Sequence, residues 1–367
     1  MSVSFNTIPS GIRVPLFYAE MDNSAASTPT SQTASLLIGQ MGEGKAEAGK
    51  PVYVSTAAMA KELFGRGSMI ARMVEAYRSV DSFGQLVVIP VADSTGTAAT
   101  GKITCTGTAA EAGTISLYVG SDRVQVSVTN KMTAEAAAKA IADAITLNKD
   151  LPITAQAASG VVTVTAKNKG TVGNDIQLAV NLRGAINGET TVTGLGVEIT
   201  AMSKGATDPD LSAALDAMGD EQYDFIGCPY CDADTLDKLS EKLNDTSGRW
   251  SPFQMIFGHV YTAKRGDVNA LVAFGKTRNN QHESVIGIEP SLPTHSAEVL
   301  AAYLGRTAVF ISADPARPTQ TGVLTGVMAS PEGSRFVQTD RQTLLENGIA
   351  TLYTVSGTVM IERAITT

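Results

Sequence analysis

Cys228 and Cys231 stand three positions apart, with Pro229 and Tyr230 between them. A Cys-x-x-Cys pair placed between a strand and a helix can run thiol-disulfide exchange. The helix N-terminus lowers the pKa of the first thiol, and its thiolate attacks a disulfide sulfur. The flanking sequence fits locally, because 223–227 reads as a strand and 233–244 as a helix with Leu236, Leu239 and Leu243 on one stripe. Two features oppose the chemistry. Asp232 follows the motif directly and disfavours a thiolate, and more than 220 residues precede a motif that belongs near the start of its own domain. The bland reading is a strand-to-helix turn carrying two small buried thiols. An oxidoreductase using Cys228 and Cys231 remains the alternative from a different function class.

Gly39 to Ala46 reads Gly-Gln-Met-Gly-Glu-Gly-Lys-Ala after a strand, which matches the GxxxxGK part of a phosphate-binding loop. In such a loop backbone N–H groups cradle phosphates, the lysine reaches the β and γ phosphates, and a Ser or Thr hydroxyl holds magnesium. Ala46 supplies no hydroxyl, and Gly49 and Pro51 stop the helix that should follow. The expectation is a flexible surface loop. Gly170 to Asp175 reads as a turn between strands, not a clamp. A zinc site would need two ligands beyond the cysteine pair, and His259, His282 and His295 have no metal-ligand spacing. No HExxH, GxSxG or paired-carboxylate constellation stands out. The sequence therefore assigns no catalytic residue, cofactor or metal.

Composition narrows the classes further. A chain of 367 residues with 43% hydrophobic and 17% charged content can build two or three packed domains. A net charge of -8 without a Lys/Arg block repels phosphates, which argues against nucleic acid as a partner. The first residues lack the basic and apolar stretches of a signal peptide, and the longest apolar run, near 86–90, is far below the ~20 residues of a membrane span. Three cysteines are too few and too odd for a disulfide framework, so a reducing compartment is expected.

The elements that must position these residues change texture twice. Residues 35–39 and 86–91 read as strands, with helices over 55–64 and after Ser68 between them, the latter carrying Met69, Met73 and Tyr77 on one stripe. From about 93 to 205 the chain becomes rich in Thr, Ala, Gly and Val, with Tyr118 as the sole aromatic residue. Alternation over 123–128 and 161–166 predicts strands, and 133–147 predicts one helix capped by Thr133. The α/β rhythm then resumes with a helix over 211–218, the strand and helix around the cysteines, and further elements over 253–260, 285–289 and 296–311. Residues 349–365 predict a hairpin turning at Ser356-Gly357. The fold class is thus α/β (α+β): a discontinuous core domain, 1–92 plus 206–367, with an inserted β-rich domain, 93–205, that carries one helix.

Several separated stretches, in order along almost the whole chain, resemble the contractile tail sheath family of Mu-like bacteriophages. They are Ile8 to Pro15 with 20–25 after it, Leu63 to Met69 with Met73, Arg278 to Glu283, Asp314 to Pro318, and Leu344 to Thr351 leading into Val359 to Thr367. The inserted segment, including Gly173-Asn-Asp175, is similar to that family's protruding domain. The resemblance implies a virion structural protein, not an enzyme, with no cofactor. Its partners would be itself, as homo-hexameric rings stacked helically, then the tail tube, baseplate and tail terminator proteins, without nucleic acid or a membrane anchor. It would reside in the virion tail after assembly in the bacterial host cytoplasm, with the insert facing outward as decoration. Because the family continues past a hairpin of this type, the resemblance also implies that a C-terminal sheath domain is missing after 367 and that this chain is monomeric. Subunit contacts are expected from an N-terminal arm within 1–20, through Val3, Phe5, Ile8 and Ile12, and from the terminal strand, through Val359, Ile361 and Arg363. A surface adhesin would share the low-aromatic insert but lack the discontinuous α/β frame.

Overall fold

A computed structural model describes residues 33–367. Val3, Phe5, Ile8 and Ile12 lie outside the described residues. The fold is mixed α/β, and its frame is a nine-stranded sheet. The first half of that sheet comes from β1 (Ala34–Gln40), β2 (Val52–Tyr53) and β3 (Gln85–Val91), linked by α1 (Ala57–Phe64) and α2 (Met69–Val80). All seven residues of β1 are buried and six of seven in β3, which is why both read as apolar runs instead of alternating ones. Thr56 and Ser68 accept hydrogen bonds from the third residue of α1 and α2 respectively, so each helix begins where its hydroxyl cap stands.

The chain then leaves this sheet to build β4 (Ala98–Gly107), β5 (Gly113–Val119), β6 (Asp122–Val128), α3 (Ala134–Leu147), β7 (Ile153–Ala158), β8 (Val161–Lys169), β9 (Leu178–Val180) and β10 (Leu195–Ser203). These strands pair only among themselves, as an antiparallel sheet ordered β10-β4-β8-β7 and a smaller one ordered β6-β5-β9. Their inward side chains and the Ala/Ile face of α3 make a hydrophobic core of their own, centred on Ile103, Leu117, Ile141 and Val162. The excursion closes on itself: Thr97 and Ala206 form a bridge with N–H to carbonyl bonds in both directions, at 3.1 and 3.2 Å.

On return, α4 (Ser212–Asp216) leads to β11 (Phe225–Gly227), α5 (Ala233–Leu243), β12 (His259–Arg265), α6 (Val268–Gly275), β13 (Glu283–Ile288), α7 (Ser296–Ala313), β14 (Val323–Met328), α8 (Gln338–Glu346), β15 (Ile349–Val355) and β16 (Thr358–Arg363). The sheet order is β14-β16-β15-β13-β12-β11-β1-β3-β2. From β3 to β15 every ladder is parallel; β2 and β16 run against the rest, and β14, antiparallel to β16, runs with them again. The crossovers reverse direction at β1, whose two neighbours are β3 and β11, so this is a doubly wound sheet with its switch point at β1. Helix α2 packs on α7, and α6 on α8.

Three departures from the sequence reading have plain causes. The strand expected over 253–260 begins only at His259, because Pro252 and a left-handed Met255 at φ 51° hold 251–255 as a turned loop with Phe253 91% exposed. Gly170 precedes a single turn of 3-10 helix, Thr171–Asp175. Helices α6 and α8 and strand β14 are short, with weak apolar periodicity, and gave no sequence signal.

Candidate functional site

In a doubly wound sheet a ligand crevice opens at the carboxyl ends of the strands beside the switch point. Here those ends are Gln40, Val91 and Gly227, followed by the glycine-rich loop, Asp93 and the Cys-Pro-Tyr-Cys turn. Both sequence-level motifs therefore converge on one place. Three amides of the loop are spent on backbone carbonyls and are not free to cradle a phosphate. Met41 N donates to the Val91 carbonyl (2.9 Å), Gly42 N to Phe64 (2.8 Å) and Ala46 N to Leu63 (2.8 Å). The last two bonds hold the loop on the end of α1, and Gly42 to Lys45 are exposed, as expected of a surface loop. A Cβ at Gly44 would lie 2.1 Å from the Leu63 carbonyl oxygen, so glycine serves a close backbone approach. Lys45 points to Glu62 on the surface.

Protein fills the inner part of the crevice. Gln40, fully buried, donates through Nε2 to Asp93 Oδ1 (2.9 Å) and to the Lys169 carbonyl (2.8 Å), and its Oε1 accepts from the Tyr230 hydroxyl (3.1 Å). Tyr230 is likewise fully buried, and desolvation pushes its phenol well above the usual range. A residual cleft of about 1110 Å³ beside this network is lined by Glu43, Glu47, Lys61, Arg66, Asp93 and Lys167 among others. Lys61 and Arg66 are engaged with Asp150 at 3.4 and 2.7 Å, and Lys167 Nζ donates to the Arg66 and Lys149 carbonyls.

The cysteine turn puts Tyr230, not a thiolate, to use. Cys228 has no exposed surface, and burial pushes its thiol up to about 12. Its sulfur makes only a weak contact with the Tyr230 carbonyl at 3.8 Å. Cys231 is partly exposed with Lys264 Nζ at 3.9 Å, but burial outweighs that cation and its thiol is also raised. The N-terminus of α5, which would stabilise a thiolate, is capped by Asp232 through the Thr235 amide at 2.9 Å. Both thiols, with Cys105, are free. Among the described residues no group of three or more His, Cys, Asp or Glu side chains could hold a metal ion, and no described helix is long and apolar enough to cross a membrane.

Arg278 to Glu283, singled out by sequence, forms a polar junction. Arg278 grips both oxygens of the buried Glu283 (3.1 and 2.9 Å) and reaches Asp237 (2.8 Å) and Ser240 (3.2 Å) on α5. Asn280 donates to Ser240 and exchanges bonds with Thr367 at 3.0 and 3.2 Å. His282 stacks on Trp250 with ring centroids 4.3 Å apart and bonds Asp245 at 3.0 Å. Nearby, Ser284 spends its proton on the Ile365 carbonyl (2.7 Å), so its oxygen accepts from His259 Nε2 at 2.8 Å. The third histidine, His295, caps α7: Nδ1 accepts from Ala297 N (3.2 Å), and Nε2 donates to the Val172 carbonyl (3.0 Å).

Of the candidate contact residues, Val359 (1% exposed) and Ile361 (0%) turn into this chain's own core, while Arg363 is exposed. Strand β16 lies between β14 and β15, so its backbone is paired on both sides. The long-range bonds of Gln40 to Tyr230 and of His295 to Val172 gave no sequence signal, because those partners are remote along the chain.

A family model described as the phage tail sheath protein central domain matches residues 204–367. The Mu-like prophage FluMu tail sheath protein of Haemophilus influenzae is 37% identical over 372 residues, covering 100% of this chain and 74% of the relative. Among solved structures, a sheath tail protein of Desulfitobacterium hafniense aligns at 13% identity and a TM-score of 0.46, over 96% of this chain and 74% of that one. One from Listeria innocua aligns at 12% and 0.43, over 90% and 68%. The identity to the Haemophilus relative, sustained over the whole length of this chain, places the protein in the phage tail sheath family.

Proposed function

We propose that this chain is a subunit of a contractile tail sheath, which polymerises as stacked six-membered rings around the tail tube and contracts to drive the tube through the host envelope. The observation that carries the reading is the 37% identity along the whole chain to a Mu-like prophage tail sheath protein. The work is mechanical. Two sets of inter-subunit contacts differ in free energy, and passage to the lower set releases the difference. Head-to-tail contacts between copies generate rings or open helices according to closure. The tail tube, baseplate and terminator proteins are the remaining partners, and assembly takes place in the host cytoplasm.

In this reading 1–92 plus 206–367 is the discontinuous sheath core and 93–205 the protruding domain. Val3, Phe5, Ile8 and Ile12 belong to an arm that joins neighbouring copies, and Arg363 is the exposed contact candidate of the terminal strand. A strand added by a neighbour can pair only at a sheet edge, and in the nine-stranded sheet those edges are β2 and β14. Deleting the reading frame from the encoding phage or prophage, then imaging its particles by negative-stain electron microscopy, tests the assignment. Bare tail tubes, with sheaths restored by complementation, are expected; sheathed tails in the deletion strain would refute it.

A further inference from the structure

We infer that segment 93–205 is keyed into the switch-point crevice and completes the fold of the nine-stranded sheet, so that it is a structural member of the subunit instead of a detachable decoration. Residues 33–367 hold together as one compact unit although the segment has a core of its own. The join is polar, buried and made at helix starts. Met69, the first residue of α2, donates its N–H to Asn168 Oδ1 at 2.8 Å, and Asn168 Nδ2 reaches back to the Met41 carbonyl at 3.0 Å. At α2 a side chain from another segment thus satisfies an amide that a helix start leaves unpaired. The start of α7 is tied differently: its own cap, His295, donates Nε2 to the Val172 carbonyl of the segment.

Charge reinforces the geometry. Arg72 on α2 is 11% exposed and pairs with Asp122 (2.7 Å) of the segment and Glu298 (2.6 Å) of α7, while its Nη1 donates to the Asp150 carbonyl (3.0 Å). The Lys169 carbonyl accepts from one of the two N–H groups of the buried Gln40 amide. Without the segment, Gln40 Nε2, the Met69 amide and Arg72 would each lose a buried partner, and leaving such groups unpaired is costly. The ligand crevice of a doubly wound sheet has become a socket, and its occupant comes from the same chain.

The test uses the full chain. Trp250 is the only tryptophan and lies outside the segment, so its fluorescence follows the sheet, while hydrogen exchange of the β4 and β8 amides follows the segment. Under urea the two are expected to lose structure together. Asn168→Ala should lower the Trp250 midpoint, equivalent to a fall in Tm of about 2 °C or more, and speed exchange at Met69 and Ile70. Asn168→Asp, which keeps the capping oxygen, should lie closer to the parent, and the exposed Thr163→Ala should match it. The inference is overturned if the segment amides open in a step that leaves Trp250 unchanged, or if Asn168→Ala and Gln40→Ala both retain the parent midpoint.

Discussion

Arg278 holds Glu283 by both carboxylate oxygens, and Glu283 is only 1% exposed. Such a pair is weak evidence for net stability, because desolvating two ions offsets their attraction. Breaking it is another matter. Arg278→Leu leaves a buried carboxylate without its cation, and a loss of about 3–5 kcal/mol is expected from urea denaturation. Arg278→Leu combined with Glu283→Leu should recover much of the deficit. A single variant as stable as the parent would show that water reaches this carboxylate.

A glycine comparison isolates the contact between α2 and the β-rich segment. Gly49 and Gly67 share nearly the same left-handed backbone, φ +77° and +75°. A Cβ at Gly49 meets nothing, whereas one at Gly67 would lie 2.3 Å from the Leu151 carbonyl oxygen. Both alanine variants carry the strain of positive φ, roughly 1 kcal/mol, but only Gly67→Ala must also push the segment away. Its Tm should therefore drop well below that of Gly49→Ala, and equal values would rule out the close approach.

The pH profile should carry the mark of His259. Burial, aided by the charge of His282, lowers its folded-state pKa to about 4, against about 6.5 in the unfolded chain. Between those values the unfolded state binds the extra proton, so stability is intact above pH 6.5 and falls as the pH drops towards 4. His259→Gln should flatten this slope in unfolding experiments at pH 7, 5.5 and 4.5. An unchanged slope would assign the acid sensitivity to other groups.

The thiols give a reactivity test. With its pKa raised to about 12 and no exposed surface, Cys228 should resist Ellman's reagent at pH 8 until the chain unfolds, and partly exposed Cys231 should react first. Fast native labelling of Cys228 would reopen the oxidoreductase reading.

The terminal strand separates a core residue from a surface one. Ile361→Ala should cost about 2–4 kcal/mol in thermal or urea unfolding, because the side chain is fully buried. Arg363→Ala should stay within about 0.5 kcal/mol. Arg363 is therefore the informative position for subunit contact, where a loss of assembly at parental stability would be decisive.

What the sequence made legible follows from the range of the forces involved. The apolar runs of β1 and β3, the hydroxyl caps Thr56, Ser68 and Thr133, and the stripe on α5 are local patterns, and each marked its element. The cysteine pair reads as a strand-to-helix turn with small buried thiols, and burial does raise both thiols, with Cys228 fully enclosed and Cys231 partly exposed. Asn168 capping α2 and His295 bonding Val172 were illegible, because their partners lie 99 and 123 residues away. Phe253 and Met255 supplied apolar residues without strand backbone.

The bridge between Thr97 and Ala206 also bears on how fast this chain can fold. Strands β1 and β11 must meet across a long separation: Ala34 N bonds Asp224 across 190 residues. Pairing of such remote strands is slow, because the entropy of closing the loop is lost before any contact forms. If the segment forms first and shuts at the bridge, it removes the 109 positions from 97 to 206 and the effective separation falls to 81. An excursion that lengthens the chain then leaves the search for the central ladder little longer than in a sheet without it.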